Sequence, residues 1–134
     1  MIFPTVENIV ELNKEYIENF GGTFVPPNNF RYCDSLVWVL DAIQYSMFGV
    51  MKYRTFSSKA ALLTWTIINN HVFNDGNKRT GFASLIHFSK ANGYSLGKLK
   101  GQEIKDLCIR IAEYRFNGFS LEKFDDWIVS KLLE

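Results

Sequence analysis

Apolar side chains recur at three- and four-residue intervals along most of the chain, and clusters of Gly, Pro and Asn interrupt them. This period predicts six helices and no strands. The first runs from Val6 to Phe20: Thr5 caps it, Val6, Ile9, Val10, Leu12, Ile17 and Phe20 line its buried face, and Gly21-Gly22 ends it. Glu7, Glu11, Glu15 and Glu18 fall mostly on the opposite, solvated side. Residues 23–33, with Pro26-Pro27 and Asn28-Asn29, form a non-helical connector. Asp34 or Ser35 then caps a second helix, which carries Leu36, Val37, Val39, Leu40, Ile43, Met47 and Phe48 and stops at Gly49.

Val50 to Phe56 is short, aromatic and basic, and reads as a turn or extended piece near the mouth of a site. Ser57 or Ser58 caps a third helix, in which Ala60, Ala61, Leu63, Thr64, Ile67, Ile68 and finally His71 keep helical spacing. Leu62 and Trp65 make it apolar nearly all round, as a central buried helix is. A fourth helix spans Asn77 to Asn92 on Phe82, Ala83, Leu85, Ile86 and Phe88, with Gly93 as its stop. A fifth covers about Gln102 to Asn117, and the last begins after Ser120 and buries Phe124, Trp127, Ile128 and Leu132.

Composition makes this a single domain over 1–134: 47% of residues are hydrophobic and 16% aromatic, enough for a packed core. The net charge of +1 supplies no global field for nucleic acid, so an anion site has to be local. Cys33 and Cys108 are too few for a disulfide framework and read as reduced thiols. Neither a secretory leader nor a run of the about 20 apolar residues that a membrane span needs is visible, and the expectation is a cytoplasmic protein.

Candidate chemistry concentrates between the third and fourth helices, in Asn70-His71-Val72-Phe73-Asn74-Asp75-Gly76-Asn77-Lys78-Arg79-Thr80. A helix N-terminus exposes unpaired amides and a partial positive charge, which suits an anion. Gly76 permits close backbone approach, and the amides around Gly76 and Asn77 suit phosphate. Lys78 and Arg79 oppose the helix dipole in the first turn, a misfit that a bound polyphosphate reverses. Asp75 suits Mg²⁺ shared with phosphate oxygens, or a plain N-cap, or both. The Asn77 side-chain amide can donate to a phosphate oxygen, and Phe73 anchors the loop. His71 is a candidate general base for a hydroxyl nucleophile; taken alone it reads more readily as a structural residue closing a helix, and it is the set of residues together that favours the chemical reading. His87 has no metal-ligating neighbours at suitable spacing and reads as structural or surface.

This row resembles the Fic/Doc family motif, written H-P-F-x-[DE]-G-N-G-R-x-x-R in the AMP-transferring Fic branch. His71, Phe73, Asp75, Gly76, Asn77 and Arg79 match it. Val72 replaces Pro, Lys78 replaces the second Gly and Phe82 replaces the last Arg, and H-x-F-x-[DN]-[AG]-N-K-R-T is similar to the Doc, "death on curing", toxin branch. The likeness is tight at the motif and extends in pattern over about 57 to 93. It implies an all-helical bundle with the motif loop between two central helices. It also implies a kinase that moves the γ-phosphoryl of ATP to a protein threonine or serine, the family target being elongation factor Tu, and so blocks translation. In that reading His71 is the base, Asp75 holds Mg²⁺, and Gly76, Asn77, Lys78 and Arg79 bind the nucleotide. The branch also implies a small antitoxin partner. Some Fic enzymes carry an inhibitory [ST]-x-x-x-E-[GN] helix, and Ser130 to Glu134 match its first five positions, a match short enough to arise by chance.

Two rival readings use the same residues. AMP transfer keeps His71 and Asp75 but has to accommodate Lys78 and Phe82. A non-catalytic module that docks a phosphorylated or nucleic-acid partner needs only the basic loop.

Overall fold

The computed structural model describes residues 1–46 and 48–134, and among them every regular element is a helix. The seven helices are α1 (Val6–Phe20), α2 (Cys33–Gln44), α3 (Phe56–Asn69), α4 (Asn77–Ala91), α5 (Gly101–Ala112), α6 (Tyr114–Asn117) and α7 (Leu121–Lys131). None of them is long and apolar enough to cross a membrane.

The central position of α3 follows from its all-round apolarity. Ala60, Ala61, Leu63 and Ile67 are fully buried, and α2, α4, α5 and α7 all pack on the helix. Its closest neighbour is α4, and Gly81 is the reason: a Cβ there would lie 2.7 Å from Cγ1 of Ile68 and 3.2 Å from the carbonyl oxygen of Thr64. Helix α1 lies across α4, with Ile9 and Ile17 as its buried apolar positions. The antiparallel pair α3–α4 is therefore clamped on several sides, and the loop joining its two members is held at one end of the bundle.

Thr5 and Ser120 cap α1 and α7 as the sequence predicts, accepting from the amides of Asn8 (3.1 Å) and Lys123 (3.2 Å). Other boundaries differ, at α2 and α5 for tertiary reasons and at α3 for a local one. Neither Asp34 nor Ser35 caps α2. The amides of Arg31 and Tyr32 bond to the carbonyl of Val72 at 2.8 and 3.2 Å, which fixes the chain's entry and starts the helix at Cys33. The same helix stops at Gln44 instead of reaching Gly49. Lys59 Nζ from α3 takes the carbonyl of Ile43, Gln44 Nε2 takes that of Leu40 at 2.9 Å, and Tyr45 turns extended. Burial holds the Lys59 pKa below the usual lysine range. Phe48 is fully exposed, Val37 is nearly half exposed and Phe20 is mostly exposed, so none is the core residue expected of it. Met47, also read as a buried helical position, lies outside the described residues.

At α3 the cap is Thr55 rather than Ser57 or Ser58. Thr55 and Ser58 exchange bonds, Ser58 N–H to Thr55 Oγ1 at 3.1 Å and Thr55 N–H to Ser58 Oγ at 3.2 Å, a capping box with Ser in the usual Glu position. The helix expected from Gln102 to Asn117 breaks at Glu113, where Tyr114 packs its ring 5.0 Å from that of Trp65 on α3. At the C-terminal end, Leu133 pairs with Ser95 through bonds of 2.7 and 2.8 Å.

Candidate active site

The loop between α3 and α4 is built from the inside out. Val72 and Phe73 are fully buried, and Phe73 stacks on Phe30 with centroids 5.5 Å apart and planes 17° from parallel. Around them the amide of Asn74 donates to the Asn29 carbonyl at 2.9 Å, and Asn74 Nδ2 reaches the Phe30 carbonyl at 3.2 Å. Residues 29–32 thus run alongside 72–74 as a short brace. Phe73 is the anchor the sequence predicts.

His71 sits one residue beyond the α3 C-cap Asn70, not on the helix, and adopts φ 49°. A non-glycine residue in the left-handed region costs about 1–3 kcal/mol and persists only where the surrounding structure holds it there. The residue is exposed and lines the cavity described below.

At the other end of the loop Gly76 is the α4 N-cap with φ 79° and ψ 16°, a left-handed conformation that glycine adopts without the Cβ penalty. It also has little room for a side chain, since a Cβ would meet Asn13 Nδ2 at 3.0 Å. Thr80 N–H makes the first bond of α4, to the Gly76 carbonyl at 2.9 Å. The amides of Asn77, Lys78 and Arg79 belong to the first turn, where a helix offers no acceptor of its own. No acidic residue lies in that turn.

Asp75 accepts twice: Oδ1 from the Gly76 amide at 2.8 Å and Oδ2 from the Thr23 amide at 2.9 Å. It therefore ties the Gly21-Gly22-Thr23 turn after α1 to the loop. Each oxygen retains a lone pair, and among the described residues Asp75 is the one carboxylate residue that lines this cavity. No cluster of three or more metal-ligating side chains occurs among the described residues. One carboxylate fits Mg²⁺ when phosphate oxygens and water complete the shell, as that ion commonly requires. Asn77 has a second task beside the expected one. Its side chain accepts from the Phe73 amide at 3.0 Å and donates one Nδ2 hydrogen to the Phe73 carbonyl at 2.9 Å, so it staples the loop, while its second Nδ2 hydrogen and its backbone amide remain as donors.

All six predicted site residues, His71, Asp75, Gly76, Asn77, Lys78 and Arg79, line one open cavity of about 520 Å³, walled also by Phe20, Gly21 and Gly22. Residues of 50–56 do not line it, so the expected place of that segment at the mouth is not what the fold gives. Met51 instead packs by the Lys59 ammonium, Sδ to Nζ 3.5 Å. Ser130 to Glu134 are likewise absent from the cavity wall. His87 is exposed and takes no part.

Lys78 and Arg79 also line a second, more apolar groove of about 520 Å³ between α4 and α5, together with Tyr16, Phe82, Ile86, Ile104, Lys105 and Cys108. They form no ion pair among the described residues. Arg79 is steadied by Phe20, its guanidinium carbon 5.5 Å from the ring centre. Cys108 Sγ lies 3.7 Å from the Lys78 carbonyl, and burial pushes its thiol up to about 11 against the opposing Lys78 charge.

Sequence reasoning missed Asn13, Asn29, Thr23 and Phe20. Only the Gly21-Gly22 pair signalled that the end of α1 has an unusual backbone.

No curated protein matches the chain. The model of the Fic/DOC family matches residues 3–89, from before α1 to near the end of α4. The matched span is more than half of the chain and contains the whole of the cavity wall. This chain belongs to the Fic/DOC family, whose members are generally transferases that modify proteins using ATP-type nucleotides, generally with Mg²⁺.

Proposed function

We propose that this protein is a Doc-like kinase, which transfers the γ-phosphoryl of ATP to a threonine or serine hydroxyl of a protein. The observation that carries the reading is the surroundings of Phe82. In the AMP-transferring pattern that position holds the arginine for the γ-phosphate. Here it is a buried phenyl ring in the wall of the apolar α4–α5 groove. That groove suits a nucleoside better than a phosphate, and it adjoins the His71 cavity across Lys78 and Arg79. A nucleotide whose base lies in the groove carries its phosphates over the two cations toward the first-turn amides, with the terminal phosphoryl nearest His71.

Chemistry then follows from what the side chains hold. The neutral imidazole of His71 accepts the hydroxyl proton as the oxygen bonds to the γ-phosphorus. The bond from that phosphorus to the bridging oxygen breaks, and the electron pair leaves on ADP. Lys78, Arg79 and the amides of Asn77, Lys78 and Arg79 neutralise charge on the phosphates, which is most of what phosphoryl transfer demands of a protein. Mg²⁺, when bound at Asp75, supplies further charge to the phosphate oxygens. By the same branch likeness the substrate is elongation factor Tu, modification blocks translation in the cytoplasm, and a small antitoxin restrains the enzyme.

Incubation with elongation factor Tu and either γ- or α-labelled ATP tests the reading. Label from the γ position alone is expected. Label retained from the α position means AMP transfer, and binding without any transfer means a docking module.

A further inference from the structure

Asn13 has no solvent exposure, although it sits mid-way along an amphipathic helix between Ile9 and Ile17. A leucine there would keep the branching at Cγ without the cost of burying an amide, about 1–3 kcal/mol when its bonds are left unmade. Packing alone therefore does not account for the residue. Its bonds do reach a consistent target. Nδ2 donates to the carbonyl of Asp75 at 2.9 Å and to Thr80 Oγ1 at 3.0 Å, and Oδ1 accepts from Asn29 Nδ2 at 2.9 Å.

Asn29, 1% exposed, continues the chain of amides. Its Nδ2 also points at the Asp75 carbonyl, at 3.5 Å, its Oδ1 accepts from the Val25 amide at 2.9 Å, and its own carbonyl receives the Asn74 amide. Asn29 adopts φ 59°, a left-handed conformation that asparagine takes more readily than most residues. Two buried amides from distant segments thus meet on the carbonyl of one loop residue.

The physical consequence concerns the peptide that follows that carbonyl. Glycine tolerates both signs of φ, so the Asp75–Gly76 peptide is free to flip in a way that a peptide before a larger residue is not. A flip would turn the Asp75 carbonyl outward, toward where an anion binds, and would rotate the start of α4. Gly76 gives the loop its close approach, and the same freedom threatens the cradle.

We infer that Asn13 and Asn29 are positioning residues of the phosphate site: they lock the Asp75 carbonyl inward and so fix the direction of the amides of Asn77, Lys78 and Arg79. The inference rests on reading that turn as the phosphate cradle. Neither asparagine touches the cavity, and both act through the Asp75–Gly76 peptide.

Binding of inorganic tripolyphosphate to the full chain tests it, followed by calorimetry and by the amide resonances of residues 77–79. The variants are Asn13→Leu, which keeps the side-chain branching and removes the polar bonds, and Asn29→Gly, which keeps the left-handed backbone and removes the side chain. Asn92→Ala is the control: it deletes an amide bonded to Ile2 and Phe88 near the far end of α4. Asn13→Leu and Asn29→Gly are expected to bind on the order of tenfold more weakly, as supporting residues of a site typically do, with displaced amide resonances. Asn92→Ala is expected to lose thermal stability and bind as the wild type does. Wild-type affinity in folded Asn13→Leu overturns the inference; if that variant does not fold, wild-type affinity in Asn29→Gly overturns it. Affinity that merely tracks melting temperature across all three variants overturns it as well. Absence of binding by the wild type instead removes the phosphate cradle itself, and the inference with it.

Discussion

The two ends of the loop between α3 and α4 are made in opposite ways. At the α4 end, Asn13, Asn29, Thr23 and the Asn77–Phe73 pair bond Asp75, Gly76 and their neighbours into a fixed shape. At the α3 end His71 is exposed, in a strained backbone, and none of the side-chain hydrogen bonds among the described residues involves its ring. A phosphate cradle works by preorganisation, and reorganising it during reaction would cost catalysis. A base must exchange protons with an incoming hydroxyl and benefits from an open approach. On the proposed function, the difference in construction follows the difference in task.

The sharpest way to break this comparison is at His71. Replacement by glycine is expected to reduce transfer by about 100- to 10,000-fold. It should leave stability unchanged or raise it by up to about 1 kcal/mol, because relief of the left-handed strain is partly offset by glycine's greater unfolded entropy. Turnover rate and a denaturant titration on the same sample check both halves, and a clear loss of stability would make His71 a structural residue. The rigid end is tested by Phe73→Ala, which should cost about 3–5 kcal/mol because the ring is fully buried against Phe30. A denaturation midpoint close to wild type would mean the anchor lies elsewhere.

A milder change sharpens the picture of the shared cations. Lys78→Gly removes one charge from both cavities and is expected to weaken Mg-ATP binding roughly tenfold, the loss of about 1.4 kcal/mol, and to admit some AMP transfer beside phosphoryl transfer. A product identical to wild type would show that bulk at position 78 does not orient the nucleotide. The smallest effect expected is in thiol reactivity. At neutral pH iodoacetamide should modify exposed Cys33 and leave Cys108, whose thiol sits near 11, untouched. Rapid loss of the Cys108 thiol, read by peptide mass, would mean that the α4–α5 groove opens.

Much of the fold is legible from periodicity. The α1 and α7 boundaries follow from Thr5, Gly21 and Ser120, and the central place of α3 follows from its apolar surround. Apart from the local Thr55–Ser58 box that starts α3, what failed was decided by partners remote in sequence. Lys59 closes α2 at Gln44 by taking a carbonyl sixteen residues away, and the bonds from Arg31 and Tyr32 to Val72 set where α2 begins. The site residues were legible as a set because their chemistry is compressed into nine positions, His71 to Arg79. His71 still reads as the last helical residue, because spacing cannot register a change in the sign of φ. The bonds from the Asn77 side chain to Phe73 are not legible in the sequence, because nothing in the residue type shows that it will brace its own loop. Asn13 was the hardest to see, since one asparagine among glutamates looks like solvated surface until α4 is laid against it.

The central claim is that the terminal phosphoryl, and not the α-phosphate, meets the imidazole. A crystal structure with Mg²⁺ and a non-hydrolysable ATP analogue measures this directly. The account predicts the γ-phosphorus beside the ring of His71 and the base in the groove of Phe82, Ile86 and Ile104; an α-phosphorus beside that ring, with the γ-phosphate toward Phe82, would contradict it.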